Sequence, residues 1–115
     1  AVILGSAIYS LRWRRDAIGV LRQLHRAGFS RPVWLFHSGP IGDDQADDAQ
    51  RFPAKVDKLA TSLDVRGRTT FGGRLPDDAR GFIARSMVKQ GRSGDWRDLG
   101  QVEVWAKDIA AALGR

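Results

Sequence analysis

Two short apolar runs, each ending in small polar residues, dominate the hydrophobic pattern of this chain. They lie in AVILGSAIYSLRW at residues 1–13 and in PVWLFHSGPIG at residues 32–42. Neither run alternates with polar residues, which is typical of strands buried on both faces of a parallel sheet. We therefore predict strands over residues 1–5 and 32–37. A more polar run at residues 65–71 predicts a third strand, suited to a sheet edge and ended by Gly72 and Gly73.

Apolar residues at helical spacing predict helices between and after these strands. The predicted helices cover residues 13–26, a segment opened by Pro53, residues 77–90 and residues 98–113. Their predicted buried positions are Ala17, Ile18, Leu21 and Leu24; Val56, Leu59, Ala60 and Leu63; Ala79, Phe82, Ile83 and Met87; and Val102, Trp105, Ile109 and Leu113.

The predicted order of elements, β-α-β-α-β-α-α, indicates an α/β fold with a parallel three-stranded sheet and helices on its faces. Gly28 is expected to end the first helix, and Asp95 or Asp98 to cap the last. The strand over residues 1–5 is the most apolar of the three and suits a central position. Because an exposed apolar edge promotes aggregation, we expect a dimer partner or a rearrangement to cover it.

The composition limits the chemistry of the chain. The 115 residues fit one domain at most, and there is no cysteine, which excludes disulfides, thiolate zinc sites and cysteine nucleophiles. The only histidines are His25 and His37, so we expect no metal site. The carboxylates of residues 43–48 lack the calcium-loop pattern, and a solvated loop is the favoured interpretation over a cation site.

The net charge of +6 arises from 19 basic and 13 acidic residues. Arginines are scattered and interrupted by aspartates, which favours a solvated surface over a basic face for nucleic acid or an anionic membrane. Binding to nucleic acid rests on net charge alone and is disfavoured. No apolar stretch approaches the ~20 residues of a membrane span, and the chain begins without the charged start of a signal peptide.

The small residues after the first two strands form the candidate site. Ligands of open α/β sheets bind outside the carboxyl ends of the strands, which places a site at residues 5–13 and 37–42. Glycine and serine permit close backbone approach to a flat ring, and Tyr9 and Trp13 offer aromatic faces for stacking. Two alternatives stay open: small residues also make ordinary turns, and Trp13 packs against a helix as readily as against a ligand.

No catalytic constellation stands out in the sequence. Ser6 and Ser38 lack the G-x-S-x-G context of a hydrolase nucleophile. His37 and Ser38 are adjacent in a strand and point to opposite faces, so they do not form a nucleophile–base pair, and a core or loop role is expected for His37. Trp34 and Trp105 are predicted to be core residues. The FGG of residues 71–73 is predicted to be a turn, and the alternative is that it also lines the site.

Four segments together resemble a known family. AVILGSAIYSLRWRRDA, VWLFHSGPIG, FGGRL and GDWRDLGQVEVWAKDIAAAL, in this order, are similar to flavodoxin-domain proteins. The closer likeness is to the branch that contains the menaquinone-dependent protoporphyrinogen dehydrogenases of heme biosynthesis. It extends over nearly the whole chain, and the order and spacing of the segments carry it more than any single one.

The resemblance implies a three-layer αβα flavodoxin-like fold whose five-stranded parallel sheet, of order 2-1-3-4-5, binds FMN beside strand 1. Residues 1–5, 32–37 and 65–71 correspond to the family's third, fourth and fifth strands. The implied ring contacts are Ser6, Ala7, Ile8, Tyr9 and Trp13 on one side, and Ser38, Gly39, Pro40, Ile41 and Gly42 on the other.

The family's phosphate-binding loop has no counterpart in the sequence. We therefore expect residues 1–115 to be the C-terminal two-thirds of a flavodoxin-like domain, with the phosphate-binding half before residue 1. One expected function is an FMN-dependent oxidoreductase that passes electrons between a small substrate and a quinone. The alternative is a flavin-free remnant that acts through protein association. A cytoplasmic location is implied, with peripheral contact to the inner face of the membrane as a variant of it.

Overall fold

Parallel strands form the centre of the molecule. The computed structural model describes residues 1–9, 12–39, 51–75, 94–95 and 97–114. Within them a four-stranded sheet has the order β2-β1-β3-β4, where β1 is Val2–Tyr9, β2 Arg12–Trp13, β3 Val33–Gly39 and β4 Val65–Gly72. The pairs β1–β3 and β3–β4 are parallel, and β2 returns antiparallel to β1. The predicted α/β class and the parallel pairing of the three long strands are confirmed.

The helices lie on both faces of this sheet. α1 (Arg15–Arg26) and α2 (Ala54–Ala60) pack on one face, over a core that contains Val33 and Leu35, both fully buried. The predicted burial of these helices is confirmed: the buried positions are Ala17, Ile18, Leu21, Val56, Ala60 and Leu63, and Leu24 and Leu59 pack half-buried against them.

α3 (Leu99–Leu113) contacts the opposite face through Trp105. Trp105 meets the rings of Phe36 and Phe71 at centroid distances of 5.6 and 5.4 Å. Phe36 alternates with Leu35 along β3, so its side chain points away from the α1–α2 core. Trp34 is buried, as predicted. The predicted buried face of α3 is partly wrong. Ile109 is buried and Trp105 is half-buried, but Val102 and Leu113 are exposed. The predicted helix at residues 77–90 lies outside the described residues.

The strands extend beyond the apolar runs from which they were predicted. β1 continues through residues 6–9, and β3 through Ser38 and Gly39, which were predicted to be loop residues. Backbone pairing with a parallel neighbour does not require large side chains, so Ala7 pairs with Ser38 as the ladder continues. β4 contains Phe71, as the strand predicted over residues 65–71 required, and extends to Gly72, which was predicted to lie in a turn.

Trp13 was predicted to begin the first helix, and that prediction is wrong. The chain reverses after Tyr9, and Trp13 in β2 pairs with Ile8 of β1, so α1 starts only at Arg15. Gly28 follows α1 with a φ of 63°, a left-handed conformation suited to glycine, which confirms the predicted helix end.

The two edges of the sheet differ. β4 lies at one edge, as its polar sequence predicted. At the other edge β2 pairs with Ile8 and Tyr9 alone, and within the described part of the chain no strand pairs with residues 2–7 on the side away from β3. Of the helices described here, none is long and apolar enough to cross a membrane.

Asp98 caps α3, as the sequence predicted, by accepting a hydrogen bond from the Gln101 N–H at 3.2 Å. Replacing Asp98 by alanine is expected to lower the free energy of unfolding by about 1 kcal/mol, the usual value of such a cap. Asp108→Ala, at an exposed position later in the same helix, is the matched control and should change it by less than about 0.5 kcal/mol. Urea unfolding followed by far-UV circular dichroism measures both, and equal effects would contradict the capping role.

Candidate functional site

The carboxyl ends of the parallel strands meet at one edge of the sheet. β1 ends at Tyr9, β3 at Gly39 and β4 at Gly72. The predicted ring contacts of the first two strands therefore lie at the same edge, and Ala7 and Ser38 are direct neighbours in the ladder. Pro40, Ile41 and Gly42 lie outside the described residues, as do Asp43, Asp44, Asp47 and Asp48.

The hydroxyl of Ser6, within β1, links this strand to Arg14, the residue that precedes α1. The Ser6 hydroxyl donates to the Ala7 carbonyl at 2.7 Å and accepts from the Arg14 N–H at 2.9 Å. Ser6 is buried, and its hydroxyl satisfies one of the backbone N–H groups near the helix start. The side chain of Ser6 thus stabilises the backbone at this edge through its hydrogen bonds. Ala7 is half-buried.

The β1–β2 hairpin directs apolar side chains into the core. Ile8 is 7% exposed and Trp13 is 6% exposed, and both belong to the core cluster beneath α1. Tyr9 pairs with Arg12 through the backbone. Since the Trp13 indole is enclosed by the protein itself, its position favours packing over stacking on a ligand.

A buried histidine joins three strands at this edge. His37 is fully buried, and its Nδ1 accepts a hydrogen bond from Trp13 Nε1 at 3.1 Å. An indole N–H can only donate, so the neutral imidazole carries its proton on Nε2. Nε2 lies 2.9 Å from Thr70 Oγ1 and donates to it. The expected core role of His37 is confirmed, and its bonds link β2, β3 and β4.

An aromatic and charged layer covers this histidine. The Phe52 ring stacks on His37, with centroids 4.1 Å apart and planes 26° apart. The Arg68 guanidinium lies 5.3 Å from the Phe52 centroid and pairs with Asp57 of α2. The sequence pattern did not single out Phe52, Arg68 or Thr70; its one local signal was the aromatic residue directly before Pro53.

Glycines bring the ends of the strands into backbone contact. The Gly73 N–H donates to the Gly39 carbonyl at 2.7 Å, and a Cβ on Gly73 would lie 2.8 Å from the Gly39 carbonyl carbon. A Cβ on Gly39 would in turn lie 2.9 Å from the Ile8 carbonyl oxygen. The ends of β1, β3 and β4 therefore touch through backbone atoms, which leaves no room for side chains at these two positions.

Among the grooves lined by described residues, two flank the sheet. One, of about 360 Å³, follows the free edge of β1 and is lined by Gly5, Ser6, Ala7, Arg14 and Val20 among others. The second, of about 550 Å³, lies between β4 and α3, where Phe71 and Trp105 form an apolar wall beside Asp98 and Asp108. Among the described residues no group of three or more histidines and carboxylates is placed to hold a metal ion.

The carboxyl edge carries the small residues Ala7, Ser38 and Gly39, and the buried His37 beside them has both ring nitrogens hydrogen-bonded. Comparisons with protein-family models, with curated proteins and with solved structures found no match to this chain.

Proposed function

We propose that this chain is the ring-binding part of a flavodoxin-like domain that holds FMN at the carboxyl edge of its sheet. The observation that carries the proposal is the pairing of Ala7 with Ser38 at this edge, both half-buried and both small. Such residues permit a planar heterocycle to approach the backbone, as the resemblance to flavodoxin-domain proteins implies.

The residues present fit a flavin ring through their backbone more than through their side chains. Gly39 and Gly73 are in backbone contact without space for a Cβ, so no side chain projects at this point. The proposed contacts are Ala7, Tyr9, Ser38 and Gly39, together with Pro40, Ile41 and Gly42 beyond the described residues. Ser6 and Ile8 position this edge from below, and Trp13 holds His37.

A bound flavin would supply hydride and single-electron transfer, which the side chains here do not provide. The chain's own residues would orient the ring and exclude water from one face of it. We propose a small reduced substrate and a quinone as its electron partners, on the resemblance alone. The proposed location is the cytoplasm, with the basic surface available for peripheral contact with a membrane.

The second candidate function is association with another protein without flavin. The observation that favours it is the edge of β1, where residues 2–7 lack a second strand within the described part of the chain.

The absence of a phosphate loop from these residues gives a sharp test of flavin binding. If the contacts are to the ring, riboflavin should bind as tightly as FMN, within about threefold, because the phosphate contributes little. Quenching of flavin fluorescence on titration with the purified chain measures both dissociation constants. If neither flavin binds, the proposal is overturned for this chain; if FMN binds far more tightly, the ring-binding assignment is wrong.

Replacing each of two alanines by leucine tests where the flavin binds. Ala7→Leu places a branched side chain beside Ser38 and should weaken riboflavin binding by about fivefold or more, since one methylene-sized clash already costs about 1 kcal/mol. Ala111→Leu makes the same change at an exposed position of α3 and should leave binding unchanged. Equal affinities in the two variants would place any flavin site elsewhere.

A further inference from the structure

Positive charge is concentrated in one layer of the molecule. Residues 12–31 and 51–68, which include both α1 and α2, carry eleven basic and three acidic side chains. This excess of basic side chains is larger than the net charge of +6 of the whole chain. Residues 97–114, which include α3, carry two basic and three acidic side chains. Basic residues that are scattered along the sequence are therefore gathered on one side by the fold.

α1 and α2 lie side by side along their lengths. Before their first turns, the rings of Trp13 and Phe52 have centroids 6.0 Å apart. At their other ends, His25 Nδ1 in α1 lies 2.7 Å from the Oγ of Ser62, two residues beyond α2. These two contacts fix which sides of the helices face each other.

A row of basic side chains borders each side of this helix contact. The five residues, here called the basic seam, are Arg15, Arg22, Arg26, Lys55 and Lys58. Spacings of seven and four residues place the three arginines on one side of α1, over about 16 Å. Arg22 lies one turn before His25, and Lys58 one turn before Ser62, so both rows flank the contact between the helices. Arg22 is half-buried and the other four are exposed.

The three carboxylates of this layer lie away from the basic seam and are already paired. Their ion pairs are Asp16–Arg14, Asp57–Arg68 and Asp64–Arg66. Asp16 lines the groove beside β1, on the flank of α1 away from α2, and Asp57 faces β4. In the part of the chain that the structure describes, no ion pair involves a member of the basic seam. Five positive charges are thus available to a partner.

We propose that the basic seam binds the surface of an anionic lipid membrane. The proposal assigns the membrane contact of the proposed function to a particular surface, so it rests on that location but not on flavin binding. The seam follows the outer side of a broad layer of two helices, which a flat layer of headgroups can meet at several points. Each lysine or arginine close to such a surface strengthens binding by about fivefold.

The surroundings of the basic seam favour lipid headgroups over other anionic partners. Within the described residues 12–39 and 51–68 no aromatic side chain is exposed, so there is no platform on which the bases of a single strand could stack. Among these same residues the exposed large apolar side chain is Val20, on the flank of α1 that borders β1. An acidic protein therefore finds no apolar anchor along the seam, whereas headgroups require only charge.

Co-sedimentation with lipid vesicles measures this binding. The flavin-free chain should bind vesicles of phosphatidylcholine with about 30% phosphatidylglycerol but not vesicles of phosphatidylcholine alone, and about 0.5 M salt should release it. Arg26→Gln combined with Lys58→Gln should lower the partition coefficient about twentyfold. Arg97→Gln combined with Lys107→Gln removes the same charge at exposed positions outside this layer, and should lower it by less than about threefold.

Three outcomes overturn the proposal. The first is that the chain does not bind the anionic vesicles, and the second is an equal loss in both double variants, which would mean that net charge alone attracts the chain. The third is binding to a short DNA duplex without binding to vesicles, which would assign the basic seam to nucleic acid. Since no flavin is present, these results are independent of the riboflavin and FMN titrations.

The orientation of the bound chain has its own test. The chain has no cysteine, and a Cβ on Gly19, between Arg15 and Arg22 in α1, has nothing within 4 Å. A fluorophore on Gly19→Cys should be quenched by a spin label on the lipid headgroups, whereas one on Val104→Cys, at an exposed position of α3, should not. Equal quenching at the two positions overturns the assigned surface.

Discussion

Replacing Trp13 by phenylalanine is expected to lower the free energy of unfolding by about 2–4 kcal/mol. The indole is 6% exposed, and its Nε1 donates to Nδ1 of the fully buried His37. Phenylalanine removes the donor and leaves a buried acceptor without it, which accounts for about 1–3 kcal/mol. The smaller ring also leaves a void, which adds about 1 kcal/mol.

A matched substitution separates the hydrogen bond from the loss of ring area. Trp105 is half-buried and contacts Phe36 and Phe71 by its ring. Trp105→Phe removes the same atoms and should lower the free energy of unfolding by about 1 kcal/mol. Both variants are compared by urea unfolding followed by far-UV circular dichroism.

The coupling between Trp13 and His37 gives the decisive measurement. In a chain that already carries His37→Phe there is no ring nitrogen to leave unpaired, so Trp13→Phe should lose at least about 1 kcal/mol of its effect. Effects that simply add would show that Trp13 stabilises the fold by packing alone.

The hydrophobic pattern was sufficient to predict the parallel strands and the helix faces, for a physical reason. Burial on both faces of β3 demands a continuous apolar run, and α1 shows its buried residues at helical spacing because one face meets the sheet. Such elements are encoded by neighbours along the chain. β2 was missed because a two-residue strand contains no period to detect.

The hydrophobic pattern could not predict the side-chain contacts at the carboxyl edge. His37 bonds Trp13 and Thr70, which lie 24 and 33 residues away, and no local signal marks either pairing. The interpretation of His37 as a core residue followed from its apolar neighbours, but the tautomer follows from the indole donor. Flavin binding stays a prediction, since it rests on a resemblance and on the small residues of the edge.

Gly73→Ala is expected to lower the free energy of unfolding by about 2–3 kcal/mol, although it adds a single methyl group. The new Cβ would lie 2.8 Å from the Gly39 carbonyl carbon and 2.9 Å from its oxygen, so two stretches of backbone must separate. Their separation weakens the 2.7 Å hydrogen bond from the Gly73 N–H to the Gly39 carbonyl. No side-chain rotation relieves this contact.

Two further glycines show why the obstructing atom decides the size of the effect. A Cβ on Gly5 would meet the far end of the half-buried Phe36 ring. This ring can turn away, but it then loses contacts with Phe71 and Trp105. Gly5→Ala should therefore lower the free energy of unfolding by about 1 kcal/mol. Gly19 in α1 has nothing within 4 Å of a Cβ, and Gly19→Ala should raise it by about 0.5–1 kcal/mol through helix propensity. Urea midpoints with unchanged slopes test this order. A Gly73→Ala chain as stable as Gly5→Ala would mean that the ends of β3 and β4 separate easily, and that the close backbone contact of Gly73 with Gly39 contributes little to the stability of the carboxyl edge.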